Sequence, residues 1–219
     1  MCGRFFVAEE GEDALLSRMI EEASRRQKAI IGASTVAAGE IVPSAAAAVI
    51  ARGRSGEEGA FPMEWGFHRA DGKGLIINTR SETALDRPLF RASMRDRRCL
   101  IPCSWYFEWE RKEDGPEGAP PAFQALPQDS GRRGKLSKVR YAIRPKAPGV
   151  MYLAGIYRYE PGRPLPVFSV LTRRPAPEIA FIHDRMPVIF LEKSLWLDRA
   201  ADPGEALEKC ETEMAFRPA

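Results

Sequence analysis

Histidine is almost missing from this chain: 219 residues contain two, His68 and His183. Cysteine is sparse as well, at Cys2, Cys99, Cys103 and Cys210. Zinc in a protein wants four nitrogen or sulfur ligands in paired spacings. Cys99 and Cys103 form a C-x3-C pair with no second pair beside it, so they are read as core cysteines flanking a strand, and neither metal nor cofactor is expected. No uninterrupted apolar run approaches the roughly 18 residues a membrane span needs. No charged region followed by an apolar stretch opens the chain, so synthesis and residence in the cytosol, with reduced thiols, are expected. Internal repeats and a βαβ rhythm are also lacking, which argues against a doubly wound parallel sheet. Lysine is scarce, 8 against 25 arginines, while the net charge is only +3. Arginine suits bidentate phosphate contacts and stacking on bases, although a genome of high G+C content would raise it equally.

What is present is an ordinary globular composition, 44% hydrophobic and 29% charged, enough for one domain with a real core. Short strands are expected at 3–8, 46–51, 61–68, 99–103, 105–109, 139–144, 151–157, 166–171 and 187–191. Apolar positions at helical spacing (Leu15, Leu16, Met19, Ile20, Ala23) predict a surface helix over 12–31. Shorter helical pieces are expected at 88–94, 178–182 and 193–197, with a terminal helix at 203–211. Residues 113–138 hold four prolines and four glycines without periodicity and read as a long surface loop. The sum is an α+β single domain over 1–219, built on a curved, barrel-like, mostly antiparallel sheet with a few peripheral helices.

The residue with the most distinctive chemistry is the second. Removal of Met1, usual before a small residue, leaves Cys2 with an α-amine and a thiol on adjacent carbons. Such a 1,2-aminothiol traps aldehydes: the amine forms an imine and the thiol closes on it to a thiazolidine. Reference pKa values of about 7.7–8.0 for the amine and about 8.5 for the thiol put both within reach of neutral pH. The competing reading is a small buried hydrophobe on a first strand.

Seven strings then occur in order: Met1-Cys2-Gly3-Arg4-Phe5, Trp65-Gly66, Asn78-Thr79-Arg80-Ser81-Glu82-Thr83, Arg98-Cys99-Leu100-Ile101-Pro102, Trp105-Tyr106-Phe107-Glu108-Trp109, Ala154-Gly155-Ile156-Tyr157 and His183-Asp184-Arg185-Met186-Pro187-Val188. Together they resemble the SRAP family, named for SOS-response-associated peptidase. The resemblance implies a DNA-damage protein that recognises abasic sites in single-stranded DNA and couples its N-terminal cysteine to the ring-opened aldehyde. It implies a nucleoid-associated state when DNA is bound. Carried over by motif, the site residues are Cys2, Asn78, Glu108 and His183. Lyase-type release is a conceivable side activity. The alternatives are a thiol peptidase or autopeptidase pairing Cys2 with His183, and a non-catalytic single-strand binding module.

Each position also has a reading of its own. Glu108, flanked by Phe107 and Trp109, would have its carboxyl raised by desolvation and could move protons at the Cys2 amine. Alternation puts Tyr106, Glu108 and Glu110 on one strand face, which could instead face water. His183 could open the closed hemiacetal of the lesion, or could cap a helix C-terminus. Asn78 could orient the sugar or the N-terminal residue, or mark a strand-end turn. His68 lacks a matching string and reads as structural. Arg4, Arg80 and Arg185 are expected at phosphates, and Trp65 and Trp105 against bases, with core packing the competing role of each tryptophan.

Overall fold

A computed structural model describes residues 2–7, 14–32, 36–53, 55–112 and 137–219. In chain order, the first part runs β1 (Arg4–Val7), α1 (Ala14–Ile31), β2 (Gly39–Ile41), β3 (Ala46–Arg52), β4 (Glu58–Trp65), β5 (Phe67–His68), β6 (Leu75–Ile76) and β7 (Asn78–Arg80). Next come α2 (Ser81–Ala84), α3 (Pro88–Asp96), β8 (Arg98–Cys103), β9 (Trp105–Lys112), β10 (Ser137–Pro145), β11 (Met151–Arg158) and β12 (Val167–Arg173). A 3-10 turn at Pro177–Ile179 leads to β13 (Met186–Pro187), β14 (Ile189–Phe190), α4 (Ser194–Leu197), α5 (Pro203–Glu208) and β15 (Met214–Pro218). The chain is α+β, with strands mostly antiparallel and few helices.

Five strands close a ring. β12 pairs with β4, β4 with β3, β3 with β8, β8 with β11, and β11 again with β12. Every residue of β8 is buried, and all of β11 but its last. The alternation explains why both read as continuous apolar runs. Cys99, Ile101, Cys103 and Leu153 pack in one core cluster, while Leu100, Tyr152, Ala154 and Ile156 pack in a second with Phe90, Trp196 and Leu197. A strand covered on both faces has no polar side to show. Gly155 is required inside the ring, since a Cβ there would lie 2.8 Å from Ile101 Cδ1 and 3.2 Å from Ser169 O.

A second sheet, in the order β15-β10-β9-β1-β2, presses Phe5, Ile41, Tyr106 and Ile143 onto the first cluster. α1 lies against β3 and β4 through Ala23, Ala48 and Ala60.

Several sequence expectations are corrected here. The expected strand 61–68 is two, β4 and β5, broken at Gly66. That residue has φ +119°, and a Cβ would meet the Leu75 side chain at 2.9 Å. The expected strand 187–191 is two bridges separated by Val188, whose N–H donates to Leu171 O at 2.9 Å. The last helix is not terminal: α5 stops at Glu208, and β15 follows to pair with β10. In the expected loop 113–138, residues 113–136 lie outside the described residues, while Ser137 and Lys138 already belong to β10 opposite Lys112 and Arg111.

Candidate functional site

The site forms where the second sheet meets the ring. β1 pairs with β9 through Arg4 opposite Phe107 and Phe5 opposite Tyr106. The Glu108 charge acts on the Cys2 thiol, which places Cys2 beside the inward face of β9. Cys2 is fully buried, and its thiol donates toward Arg4 O at 3.7 Å. Asn78 Nδ2 donates to Cys2 O at 2.8 Å, joining residues 76 positions apart. Asn78 is no turn residue: it starts β7, which pairs in parallel with β12 opposite Val170. Its Oδ1 is buried without a hydrogen-bond partner among the described residues.

Glu108 is 3% exposed. The Tyr106 and Glu108 positions therefore face inward, which excludes the water-facing alternative for this strand face. The desolvation does not come from the adjacent aromatics, because Phe107 and Trp109 point to the opposite face. Burial pushes the Glu108 carboxyl above its usual range, and the nearby His183 pulls it down. Burial first, and then the Glu108 charge, push the Cys2 thiol far above its ordinary value. The thiol is neutral at physiological pH.

His183 sits in the connection between the 3-10 turn and β13, not at a helix end. Its Nδ1 lies 2.7 Å from Asp184 Oδ1 and 3.1 Å from the Arg185 N–H. Cys2, Asn78, Glu108 and His183 thus converge from four distant stretches of chain. Sequence reasoning missed Tyr106, a fully buried phenol whose own proton is held on by burial, by Cys2 and by Glu108. Its place two residues before Glu108 on one strand face was the available signal. Cys103 is the other neighbour missed: its thiol is raised by burial and then by Cys2.

Two of the expected DNA contacts are overturned by burial. Trp65 is fully buried, its ring parallel to Phe168 at 6.1 Å and its Nε1 donating to Ile77 O at 3.0 Å. No base can reach it. Arg185 is 9% exposed and clamps Glu82 with two hydrogen bonds of 2.7 and 2.8 Å while donating to Thr172 O. Both terminal nitrogens of its guanidinium are engaged within the protein. Arg80 is exposed, and Arg4 is exposed but paired with Glu40 at 2.5 Å. Glu40 also accepts from Arg140 at 2.6 Å, and the two arginines hold its carboxyl below the usual range. Trp105 is half-buried, stacked on Phe6 at 5.0 Å with the Arg217 guanidinium 5.4 Å from its ring centre. His68 lies apart from the site, its Nδ1 2.7 Å from Glu160.

A separate cavity of about 370 Å³, lined by Arg52, Arg97, Tyr157 and Arg199 among others, lies at the far end of β8 from Cys103. Six residues of strand put it roughly 20 Å from the Cys2 end, so it takes no part in this arrangement. Among the described residues no group of histidine, cysteine and carboxylate side chains is placed to hold a metal. No helix there is long and apolar enough to cross a membrane.

Comparison with known proteins follows the same line. A family model described as SOS response associated peptidase (SRAP) matches residues 1–218. The "Abasic site processing protein YoqW" of Bacillus subtilis is 28% identical over 134 residues, covering 58% of this chain and 50% of that protein. The "Abasic site processing protein HMCES" of Gallus gallus is 26% identical over 167 residues, covering 68% and 48%. The chain spans about half the length of these relatives. Among solved structures, a protein from Bacteroides thetaiotaomicron superposes with a TM-score of 0.68 at 18% identity, covering 99% of this chain and 91% of that one. A phage-related protein from Bordetella bronchiseptica gives 0.64 at 21% identity, covering 100% and 94%. At those identities the likeness shows the fold.

Proposed function

We propose, from the premise that this chain belongs to the SOS response associated peptidase (SRAP) family, that it captures abasic sites in single-stranded DNA covalently through Cys2. The observation that carries the reading is the convergence of Cys2, Asn78, Glu108 and His183 from four distant stretches of chain. The names of the relatives as abasic site processing proteins support it.

The chemistry starts once Met1 has left and the Cys2 amine is free. An abasic sugar rests mostly as a closed hemiacetal. His183 takes the proton of the anomeric hydroxyl and returns one to the ring oxygen, releasing the aldehyde. The amine adds to the carbonyl carbon. Glu108, whose carboxyl burial pushes up, gives a proton to the carbinolamine hydroxyl, which departs as water and leaves a protonated imine. The carboxylate so formed takes the Cys2 thiol proton as sulfur bonds to the imine carbon, so Glu108 is restored and the ring nitrogen keeps its one hydrogen. The sum is aldehyde plus aminothiol giving thiazolidine plus one water. A neutral thiol with a carboxylate base beside it fits this order, since sulfur needs to ionise only as it attacks. Asn78 holds the Cys2 carbonyl, which fixes the direction of both nucleophiles. Arg4 and Arg80 meet phosphates on the exposed rim.

A thiol-peptidase mechanism would need a standing thiolate. Burial opposes one at Cys2, whereas aldehyde capture needs sulfur to ionise only as it attacks.

The test is to incubate processed protein with an oligonucleotide carrying one abasic site, denature without reductant, and weigh the product. The expected mass is the sum of the two partners less one water. Recovery of unmodified protein and DNA would refute covalent capture. Glu108 gives a second prediction. Its folded-state pKa lies above the unfolded value, so its contribution to stability is full below about pH 4.3 and is lost as pH rises through the raised value. Glu108→Gln is therefore expected to melt above wild type at pH 7 and level with it near about pH 4, while forming adduct on the order of 10²–10⁴ times more slowly. Paired pH-dependent melting curves and single-turnover gels read both. Arg80→Ala is expected to lower the slope of log affinity against log salt by about 0.7 for each single-strand phosphate that Arg80 meets. An unchanged slope places Arg80 off the DNA.

A further inference from the structure

Three aromatic rings lie beside Glu108 and His183 without a role in the chemistry above. Phe181 and Phe216 are 51% and 41% exposed, the only phenylalanines among the described residues that stand so far into solvent. They pack edge to face at 5.3 Å. Both stand on Tyr141, at 5.7 and 5.8 Å in T-shaped contact. Tyr141 is itself 8% exposed and anchored by a 2.9 Å hydrogen bond from its hydroxyl to Glu110 Oε2.

The register fixes where this group lies. Tyr141 is directly opposite Glu108 in the β9–β10 ladder, so the two side chains share a face about 5 Å apart. Phe216 is opposite Ile143 on β15, the next strand out and roughly 10 Å from β9. Phe181 lies two residues before His183. The rings therefore flank the Glu108–His183 side of the pocket, one to two strand spacings from the carboxyl.

Two facts separate them from the other aromatic residues near the site. The faces of Trp105 and Trp109 are already engaged by neighbours: Phe6 and Arg217 on the first, Arg4 and Arg140 on the second. Among the described residues, the rings that Phe181 and Phe216 meet are Tyr141 and each other, all edgewise, which leaves ring surface uncovered. Two charges beside them, Asp184 next to His183 and Glu110 beneath Tyr141, are of the wrong sign for phosphate, and Lys146 is already bridged to Glu178 and Glu213. The one adjoining cation on β15, Arg217, turns to the opposite strand face over Trp105. A polyanion passing this ledge must present its uncharged part.

We propose that Phe181 and Phe216, propped on Tyr141, stack the base of the nucleotide adjoining the abasic residue. The assignment rests on the abasic-site reading above and adds a base-binding subsite to it. The neighbouring base, stacked there, sets the position of the damaged sugar over Glu108.

The experiment uses probes that cannot react, so that binding is read apart from capture. One single-stranded oligonucleotide carries a tetrahydrofuran analogue of the lesion between two normal nucleotides. Two others carry a second tetrahydrofuran in place of the 5′ or of the 3′ neighbour. Wild-type protein should bind one of the doubly substituted strands roughly ten- to a hundredfold more weakly than the singly substituted one, the range expected for one base–aromatic stack. The double variant Phe181→Leu, Phe216→Leu keeps apolar bulk on Tyr141. It should lose that preference and bind all three strands alike. The preference should be the same at 50 and 200 mM salt, because no phosphate is involved. A wild-type preference that survives in the double variant, or no preference in wild type, overturns the subsite. Phe181→Trp, which should strengthen the preference, guards against a folding defect in the double variant. Failure of the abasic-site reading shows separately, as absence of adduct with a true abasic strand, whatever the result with these probes.

Discussion

Cys2→Ser is expected to form no adduct with abasic DNA that survives denaturation. The serine chain still loses Met1 and still presents an α-amine, so it can reach the imine. It lacks the sulfur that closes the ring, and imines hydrolyse when the protein unfolds. Borohydride added before denaturation should therefore recover a crosslink from Cys2→Ser, but should be unnecessary for wild type. Wild-type chain made without methionine removal should give no adduct that survives denaturation without borohydride, because the Cys2 nitrogen is tied in a peptide bond and its thiol has no adjacent amine with which to close a ring. The three results divide the work of one residue between nitrogen and sulfur. A reductant-independent adduct from Cys2→Ser would rule out the thiazolidine. Cys2 has no exposed surface, so melting curves should accompany the comparison.

Trp65→Ala is the substitution expected to cost most stability. The indole is fully buried between Phe5, at 5.0 Å, and Phe168, at 6.1 Å. It also closes a hydrogen bond to Ile77 O, at the approach to Asn78. Removing a buried aromatic of this size costs about 3–5 kcal/mol, which in a chain of this length lowers the melting temperature by roughly 6–20 °C. DNA binding by the fraction that remains folded should be unchanged, since the ring meets no solvent. Thermal denaturation and anisotropy on one preparation check both statements. Normal stability with weakened binding would return Trp65 to the DNA-facing surface.

The contrast between Trp65 and Trp105 shows what the sequence could and could not disclose. Both stand in strand-like runs and in recognisable strings, and local pattern gives them equal standing. The difference arises from topology: Trp65 ends β4 inside the closed ring, whereas Trp105 begins β9 on the outer face of the second sheet. Arg185 fails in the same way. Nothing in His-Asp-Arg-Met-Pro foretells Glu82, 103 residues earlier, as its partner. Glu108 was legible as a buried carboxylate, but for a wrong local reason, since its burial comes from the face it shares with Tyr106. The strands of the ring were legible because apolar runs bounded by turns carry their own signal. β15 was not, because five residues after a helix, most of them exposed, have little of it. Asn78 could be placed on either the sugar or the N-terminal residue from chemistry alone, and only the fold brings its amide to the Cys2 carbonyl.

β12 divides each of its edges between two partners. Along one edge it pairs first with β4 and then with β7; along the other, first with β11 and then with β13. Asn78 is carried by β7, and His183 shortly precedes β13, so both reactive positions are tied to a single central strand before any ligand arrives. Little conformational entropy is then left to lose on encounter, so that on the proposed reading the binding energy for an abasic strand goes into distorting the sugar rather than into ordering the protein. Amide exchange along β12 should accordingly be slow in the free protein and scarcely slower in the adduct, the signature of a preorganised catalyst.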